Sequence, residues 1–227
     1  MKPTRLFFGS AALNDERKTV SLDTVTMNNE PFFMIENYDH MSPFFMTVVS
    51  DVDHWMFKDD KDFLWKPFSK HNGNVYKITR NLYKNTIGNK VMFEEINHDL
   101  EVAFTYTWKN SNVYGFIKES SIVNLGEKAV TVRVLDGIRN ILPYGVNTSL
   151  QTSLSTLLDG YKRCELVESA GLGIFNLSSI LTDRAEPSES LKATTVWSKG
   201  LDHPHSLMSE QQVEAFSMNH GIETEVD

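Results

Sequence analysis

The sequence predicts a mainly β fold, an antiparallel β-sandwich, and three observations support this prediction. Apolar and polar residues alternate over 100–108, which predicts a long strand with one buried face. Other strand-like segments follow one another at short intervals without helices between them, which favours antiparallel pairing over βαβ units. The 227 residues are 41% hydrophobic and include 14 Phe, 7 Tyr and 4 Trp, enough apolar area to fill a core.

The predicted strands share the period-two pattern or a short apolar run bounded by turn residues. Short turns rich in Asn, Gly and Ser join several of them, as over 109–112 and 124–127. In chain order the predicted strands cover 19–27, 31–35, 44–49, 75–82, 91–96, 100–108, 113–123, 129–135, 171–181 and 191–197.

Two helices are predicted among these strands. One covers 150–161, because its leucines and Tyr161 have helical spacing, and Thr148 or Ser149 can cap its start. The other covers 209–218, with Ser209 as N-cap and Gln212 three residues later in a capping box. A helix that short is unstable alone, so it must dock on the body of this domain or on a neighbour.

The chain shows no internal repeat and no Gly/Ser-rich linker. We therefore predict a β-sandwich domain over 1–200 and a linker or helical tail over 201–227. Residues 6–13 are apolar but short for a secretory signal, and charged residues follow at once. We expect a cytoplasmic protein whose N-terminal segment packs on the domain, with secretion through a weak signal as the alternative.

Charge and composition exclude several classes of partner and site. The net charge is −8 and the pI is near 5.4, so the surface repels phosphate backbones and no nucleic-acid partner is expected. No 18-residue apolar window occurs, so no membrane partner is expected. The single cysteine, Cys164, excludes an internal disulfide and a multi-cysteine metal site. His203 and His205 lack nearby further ligands, so we predict neither a metal site nor a cofactor.

The candidate binding residues lie in a stretch rich in aspartate and aromatic residues. They are Asp51, Asp53, His54, Trp55 and Trp65. Aromatic faces can stack on sugar rings while carboxylates bind the hydroxyl groups, so this stretch is a candidate carbohydrate site. The alternative is a solvated Asp-rich turn that its tryptophans and Phe68 anchor in the core.

Three segments carry a resemblance to a known family. Residues 124–132 and 134–146 precede the predicted helix, and 181–189 (Leu-Thr-Asp-Arg-Ala-Glu-Pro-Ser-Glu) follow it. Together they resemble the N-terminal β-sandwich of large bacterial proteins similar to cellobiose phosphorylases. The resemblance implies a galactose-mutarotase-like supersandwich, followed by a helical linker and by an (α/α)-barrel that carries the catalytic acid and the phosphate site.

The resemblance further implies a non-catalytic carbohydrate-binding or scaffold domain of a glycoside phosphorylase or hydrolase that acts on oligosaccharides. We expect the barrel outside these 227 residues, so no catalytic residue of the family maps onto this sequence. Catalysis is accordingly expected from an adjoining barrel domain and not from this chain alone. The resemblance also implies a homodimer.

Two alternatives of other classes stay open. The first is a stand-alone mutarotase-like sugar epimerase or small glycosidase, which needs a histidine and a carboxylate in one cleft. The candidate pairs combine His54 or His98 with Glu94 or Asp53. The second is a β-sandwich used only for protein interaction, without any contact to sugar.

Overall fold

The computed structural model describes residues 4–12, 22–27, 30–35, 42–50, 62–69, 75–87, 89–111, 113–181 and 190–225. Within these ranges, strands greatly outnumber helices. The strands are β1 (Thr4–Ala12), β2 (Leu22–Met27), β3 (Glu30–Ile35), β4 (Ser42–Ser50), β5 (Phe63–Trp65), β6 (Ile78–Lys84), β7 (Lys90–Asn97), β8 (Val102–Ser111), β9 (Gly115–Asn124), β10 (Thr131–Arg139), β11 (Lys162–Val167), β12 (Leu172–Leu177) and β13 (Ala193–Lys199). The α-helices are α1 (Thr148–Ser153), α2 (Ser155–Tyr161) and α3 (Val213–Ser217), and a 3₁₀ turn covers Glu168–Ala170.

The strands of the described residues form two larger sheets and one hairpin. The large sheet has the order β11-β12-β13-β1-β9-β8-β7-β6, and a three-stranded sheet has the order β10-β4-β5. Strands β2 and β3 pair with each other. Every pairing among the described strands is antiparallel. The mainly β, antiparallel prediction is therefore confirmed, while the supersandwich form stays a prediction.

The main core lies between the two larger sheets. Phe45 of β4 stacks on Phe104 of β8 with ring centroids 3.6 Å apart. Trp65 of β5 and Val49 of β4 are fully buried in the same cluster. The alternation predicted for 100–108 is the inner face of β8, because Val102, Phe104, Tyr106 and Trp108 all belong to this core. The two sheets thus pack face to face as in a sandwich.

The outer face of β4 is buried as well. Met46 and Val48 alternate with the core residues of β4 and pack against Phe216 of α3, all three being 2% exposed. The Arg133 guanidinium lies 5.3 Å from the Phe216 ring centre, and its Nη2 donates to the His220 carbonyl at 2.7 Å. The C-terminal helix thus docks on the body of this domain, the first of the two alternatives that its sequence left open.

The helix predicted over 150–161 is divided into α1 and α2. The break is at Leu154, whose φ of −127° and ψ of 30° are not helical. The hydroxyl groups of Thr152 and Ser153 bond to the Ser149 carbonyl, and such local bonds compete with regular helix hydrogen bonding. The N-cap is Asn147, whose Oδ1 accepts from the Leu150 amide at 2.8 Å, and not Thr148 or Ser149.

Among the described residues, three strands are not predicted by the sequence patterns: β1, β5 and β11. Strand β1 lies inside the large sheet, between β9 and β13, where the sequence predicted only a packed terminal segment. Helix α3 covers five residues, fewer than the predicted ten, and begins after Gln212. No helix within the described ranges is long and apolar enough to cross a bilayer.

Burial of Tyr106 leads to a prediction on alkaline stability. Its pKa is raised to about 12, because desolvation in the core disfavours the phenolate. The unfolded chain loses this proton near pH 10. The contribution of the buried neutral phenol to the free energy of unfolding is therefore fully present below pH 10 and is lost as the pH rises towards 12. In urea titrations, we expect wild type to lose stability relative to Tyr106→Phe only above pH 10. A constant difference from pH 7 to 12 would contradict this assignment.

Candidate functional site

A wide groove lies beside β10, over the end of the large sheet formed by β11, β12 and β13. It has a volume of about 1520 Å³ and is bounded by residues 133–141, from β10 and the two residues after it, and by the segment 200–210. It exists because the three-stranded sheet ends at β10, whereas the large sheet continues to β11. Grooves of this kind between elements are the usual places for ligands.

Strand register identifies the side chains on the floor of the groove. Cys164 of β11 is opposite Phe175 of β12, and Leu166 is opposite Gly173. Gly173 is in turn opposite Val196 of β13. Directly opposed residues share a face of the sheet, so these side chains form one mainly apolar surface with a phenyl ring at its centre. Cys164 is exposed at the outer edge of this surface.

The segment 200–209 borders the groove, and its Met208 side chain lies against the floor at Gly173. A Cβ atom at Gly173 would lie 3.1 Å from the Met208 Cε, so the Met208 side chain packs closely against the glycine. Glu225 holds the segment, because its Oε2 accepts from the Met208 and Ser209 amides at 2.6 Å each. The floor is therefore partly covered from above by Met208.

Polar groups surround the floor. Arg139 at the end of β10 binds Glu210 through two nitrogens, with Nε 2.7 Å from Oε1 and Nη2 2.8 Å from Oε2. His203 and His205 line the same side, and the His205 Nδ1 lies 3.4 Å from the Thr224 hydroxyl. Lys162 binds Asp159 at 2.7 Å. Guanidinium, carboxylate and imidazole groups beside a phenyl ring are a suitable set for binding hydroxyl groups.

A buried ion pair lies behind the wall of the groove. Lys118 of β9 binds Asp136 of β10, and the two side chains are 0% and 1% exposed. The Lys118 Nζ also donates to the Gly137 carbonyl at 3.2 Å and lies 5.8 Å from the Tyr106 ring centre. Burial lowers the pKa of Lys118 and raises that of Asp136, while their mutual attraction opposes both shifts. The pair joins the two sheets across the interior.

The ion pair was not predicted from the sequence, although the sequence contains a signal for it. Phe116, Lys118, Ser120 and Ile122 alternate along β9 and therefore share one face. A lysine in the middle of a face that is otherwise suited to a core needs a buried partner of opposite charge. The identity of that partner, Asp136, depends on how the two sheets pack.

The predicted sugar-binding residues fall into two groups, those outside the described residues and one that is buried. Asp51, Asp53, His54 and Trp55 lie outside the described residues. Trp65 is 0% exposed, and its indole N–H donates to the Glu95 Oε1 at 2.9 Å. Its ring is therefore part of the core and presents no face to a ligand, as in the alternative in which Trp65 and Phe68 anchor the stretch.

Glu95 explains why Trp65 is held inside. This carboxylate is fully buried and accepts from the Trp65 indole, from the Phe68 amide at 2.7 Å and from the Arg80 Nε at 2.7 Å. A buried carboxylate that accepts from three donors holds the groups around it in place. The arrangement has a structural role, and it lies in the main core between the sheets.

The residues considered for acid–base chemistry have separate partners. His98 Nε2 lies 2.8 Å from the Thr79 hydroxyl. The Glu94 carboxylate of β7 accepts hydrogen bonds from the Asn81 side-chain amide and the Tyr83 hydroxyl, both on β6. The other two candidates, His54 and Asp53, lie outside the described residues. Among the residues that the structure describes, no group of three His, Cys, Asp or Glu could hold a metal ion.

No protein-family model matches the chain, and no curated protein sequence matches it.

Proposed function

We propose that this chain is a non-catalytic carbohydrate-binding domain, and that an oligosaccharide binds in the groove over β11, β12 and β13. The observation that carries the proposal is the composition of the groove: the Phe175 ring lies on the floor, and the Arg139–Glu210 pair lies on the rim. A pyranose ring has an apolar face that packs on an aromatic ring and hydroxyl groups that bind charged side chains.

The shape of the groove also supports a chain of several sugar units. Its volume of about 1520 Å³ exceeds the roughly 300–1,000 Å³ of typical small-ligand pockets, and its sides are open. A neighbouring catalytic barrel, expected from the resemblance, would then receive a substrate held by this domain in the cytoplasm. In this proposal the sugar site is the groove beside β10, in place of the predicted stretch around Asp51.

The test is a titration of the intact chain with cello-oligosaccharides, followed by calorimetry or by chemical shifts. We expect saturable binding that Phe175→Ala weakens about tenfold, which corresponds to about 1.4 kcal/mol of lost contact. Tyr83→Ala is the matched control, because Tyr83 is an exposed aromatic residue on the distant strand β6.

Two results would contradict the proposal. One is the absence of binding to cello-oligosaccharides and to a wider set of glycans by the folded wild-type chain. The other is equal weakening by Phe175→Ala and Tyr83→Ala, which would place the sugar outside the groove. Mutarotation of glucose above the buffer rate would instead support the epimerase alternative.

A further inference from the structure

The Met208 side chain lies on the groove floor next to the Phe175 ring. A Cβ atom at Gly173 would lie 3.1 Å from the Met208 Cε and 3.2 Å from the Phe175 Cε2. Both side chains therefore lean on the same glycine and lie beside each other over it. A thioether group near an aromatic ring makes a favourable contact. Met208 thus occupies space next to the ring on which a ligand in the groove would stack.

The terminal segment 222–225 holds Met208 in this position. The Glu225 carboxylate accepts from the Met208 and Ser209 amides at 2.6 Å each, and from the Ser209 hydroxyl at 3.1 Å. The Glu225 amide donates to the Ser206 carbonyl at 2.9 Å. A single residue therefore fixes the segment 200–209 on both sides of Met208.

The terminal segment is itself anchored in the body of the domain. Ile222 packs against the buried cluster on the outer face of β4 that contains Phe216. The Gln212 side chain bonds to the Glu223 backbone in both directions: its Nε2 donates to the carbonyl at 2.9 Å, and its Oε1 accepts from the amide at 2.8 Å. Contacts thus run from the body of the domain to Glu225 and from there to the groove floor.

The contacts that hold Met208 can be released without unfolding the sheets. They are hydrogen bonds of a half-buried glutamate, and water is a ready substitute for such bonds. Residues 201–205, which lead to Met208, are exposed. Gly200 directly follows β13 and has a φ of 113°, a region that favours glycine. A local opening of the segment 200–209 therefore leaves β13 paired in the large sheet.

We propose that Met208 is a plug in the groove and that Glu225 is the latch that keeps it there. In the latched state the plug covers the floor beside Phe175, and a ligand that stacks on this ring has to displace it. The apparent affinity of the groove is then reduced to the fraction of molecules in which the plug is out. The latch is a property of this chain alone, whereas its effect on sugar binding rests on the proposed function.

Oxidation by hydrogen peroxide measures the position of the plug. Peroxide transfers one oxygen atom to an accessible thioether sulfur and leaves as water, and peptide masses report the rate at each methionine. In the wild-type chain, Met208 should oxidise more slowly than Met218, which is 57% exposed. In Glu225→Ala, Met208 should oxidise about as fast as Met218, because the bonds that hold the plug are gone.

Glu223→Ala is the matched control for the latch. Glu223 is exposed and bonds to Gln212 through its backbone, so this variant loses a carboxylate from the same segment and keeps the latch. Its Met208 should oxidise as in wild type. Met46 is 2% exposed and should stay protected in every variant that remains folded. The latch is overturned if Met208 is as protected in Glu225→Ala as in wild type, or if Glu223→Ala exposes it equally.

Titration with cello-oligosaccharides tests the plug. Met208→Ala should tighten binding about threefold, while Met218→Ala should leave it unchanged. Saturating sugar should also speed the oxidation of Met208 in wild type. The plug is overturned if Met208→Ala binds sugar no more tightly than wild type, or if bound sugar leaves Met208 equally or better protected. A folded chain that binds no glycan contradicts the proposed function, and the oxidation rates without sugar then decide for or against the latch.

Discussion

Replacing Phe216 with alanine should lower the free energy of unfolding by about 3–4 kcal/mol, the usual cost of removing a buried phenyl ring. The ring is 2% exposed and covers Met46 and Val48 on the outer face of β4. The change also removes the contact between this ring and the Arg133 guanidinium. The measurement is urea unfolding followed by tryptophan fluorescence.

Met218→Ala is the control for this experiment, because Met218 is the C-cap residue of the same helix and is 57% exposed. We expect it to change stability by less than about 0.5 kcal/mol. Truncation before Leu201 should destabilise the domain at least as much as Phe216→Ala, because it uncovers Met46 and Val48. A truncated chain as stable as wild type would show that 201–227 is a linker, as the resemblance implies.

Replacing Lys118 with methionine should destabilise the fold by about 3–5 kcal/mol, because it leaves the Asp136 carboxylate buried without its countercharge. Both side chains are almost completely buried, and the pair connects β9 of one sheet with β10 of the other. Because protonation neutralises the unpaired carboxylate, the loss should be smaller at pH 4 than at pH 7. The measurement is urea unfolding at both values of pH.

Lys109→Met is the matched control. Lys109 binds Glu119 at 2.5 Å, and the two side chains are 26% and 20% exposed. An ion pair near the surface contributes at most about 1 kcal/mol, so this variant should be close to wild type. The double variant Lys118→Met/Asp136→Leu should recover much of the stability, because apolar replacement of a buried pair is often tolerated. Equal losses of unfolding free energy in Lys118→Met and Lys109→Met would contradict the role assigned to the buried Lys118–Asp136 pair.

The sequence by itself determined the fold class and the positions of most strands. The period-two pattern over 100–108 reports which face of a strand is buried, and it needs no knowledge of the partner strand. Strands β7, β8 and β9 lie close to the predicted ranges for this reason. The tail helix was predicted at the right place too, since Val213 and Phe216 give it an apolar side.

The tertiary structure decided the order of the strands, the docking of α3 and the groove. Strand β11 begins Lys-Arg-Cys-Glu and shows no apolar alternation, because four of its six residues are exposed. Trp65 is a residue type that can stack on a sugar ring, and its complete burial beside Glu95 shows that it belongs to the core. Local periodicity records whether a residue is buried, whereas its partner is fixed by packing between residues far apart in the chain. Lys118 and Asp136 meet for that reason, in strands of two different sheets.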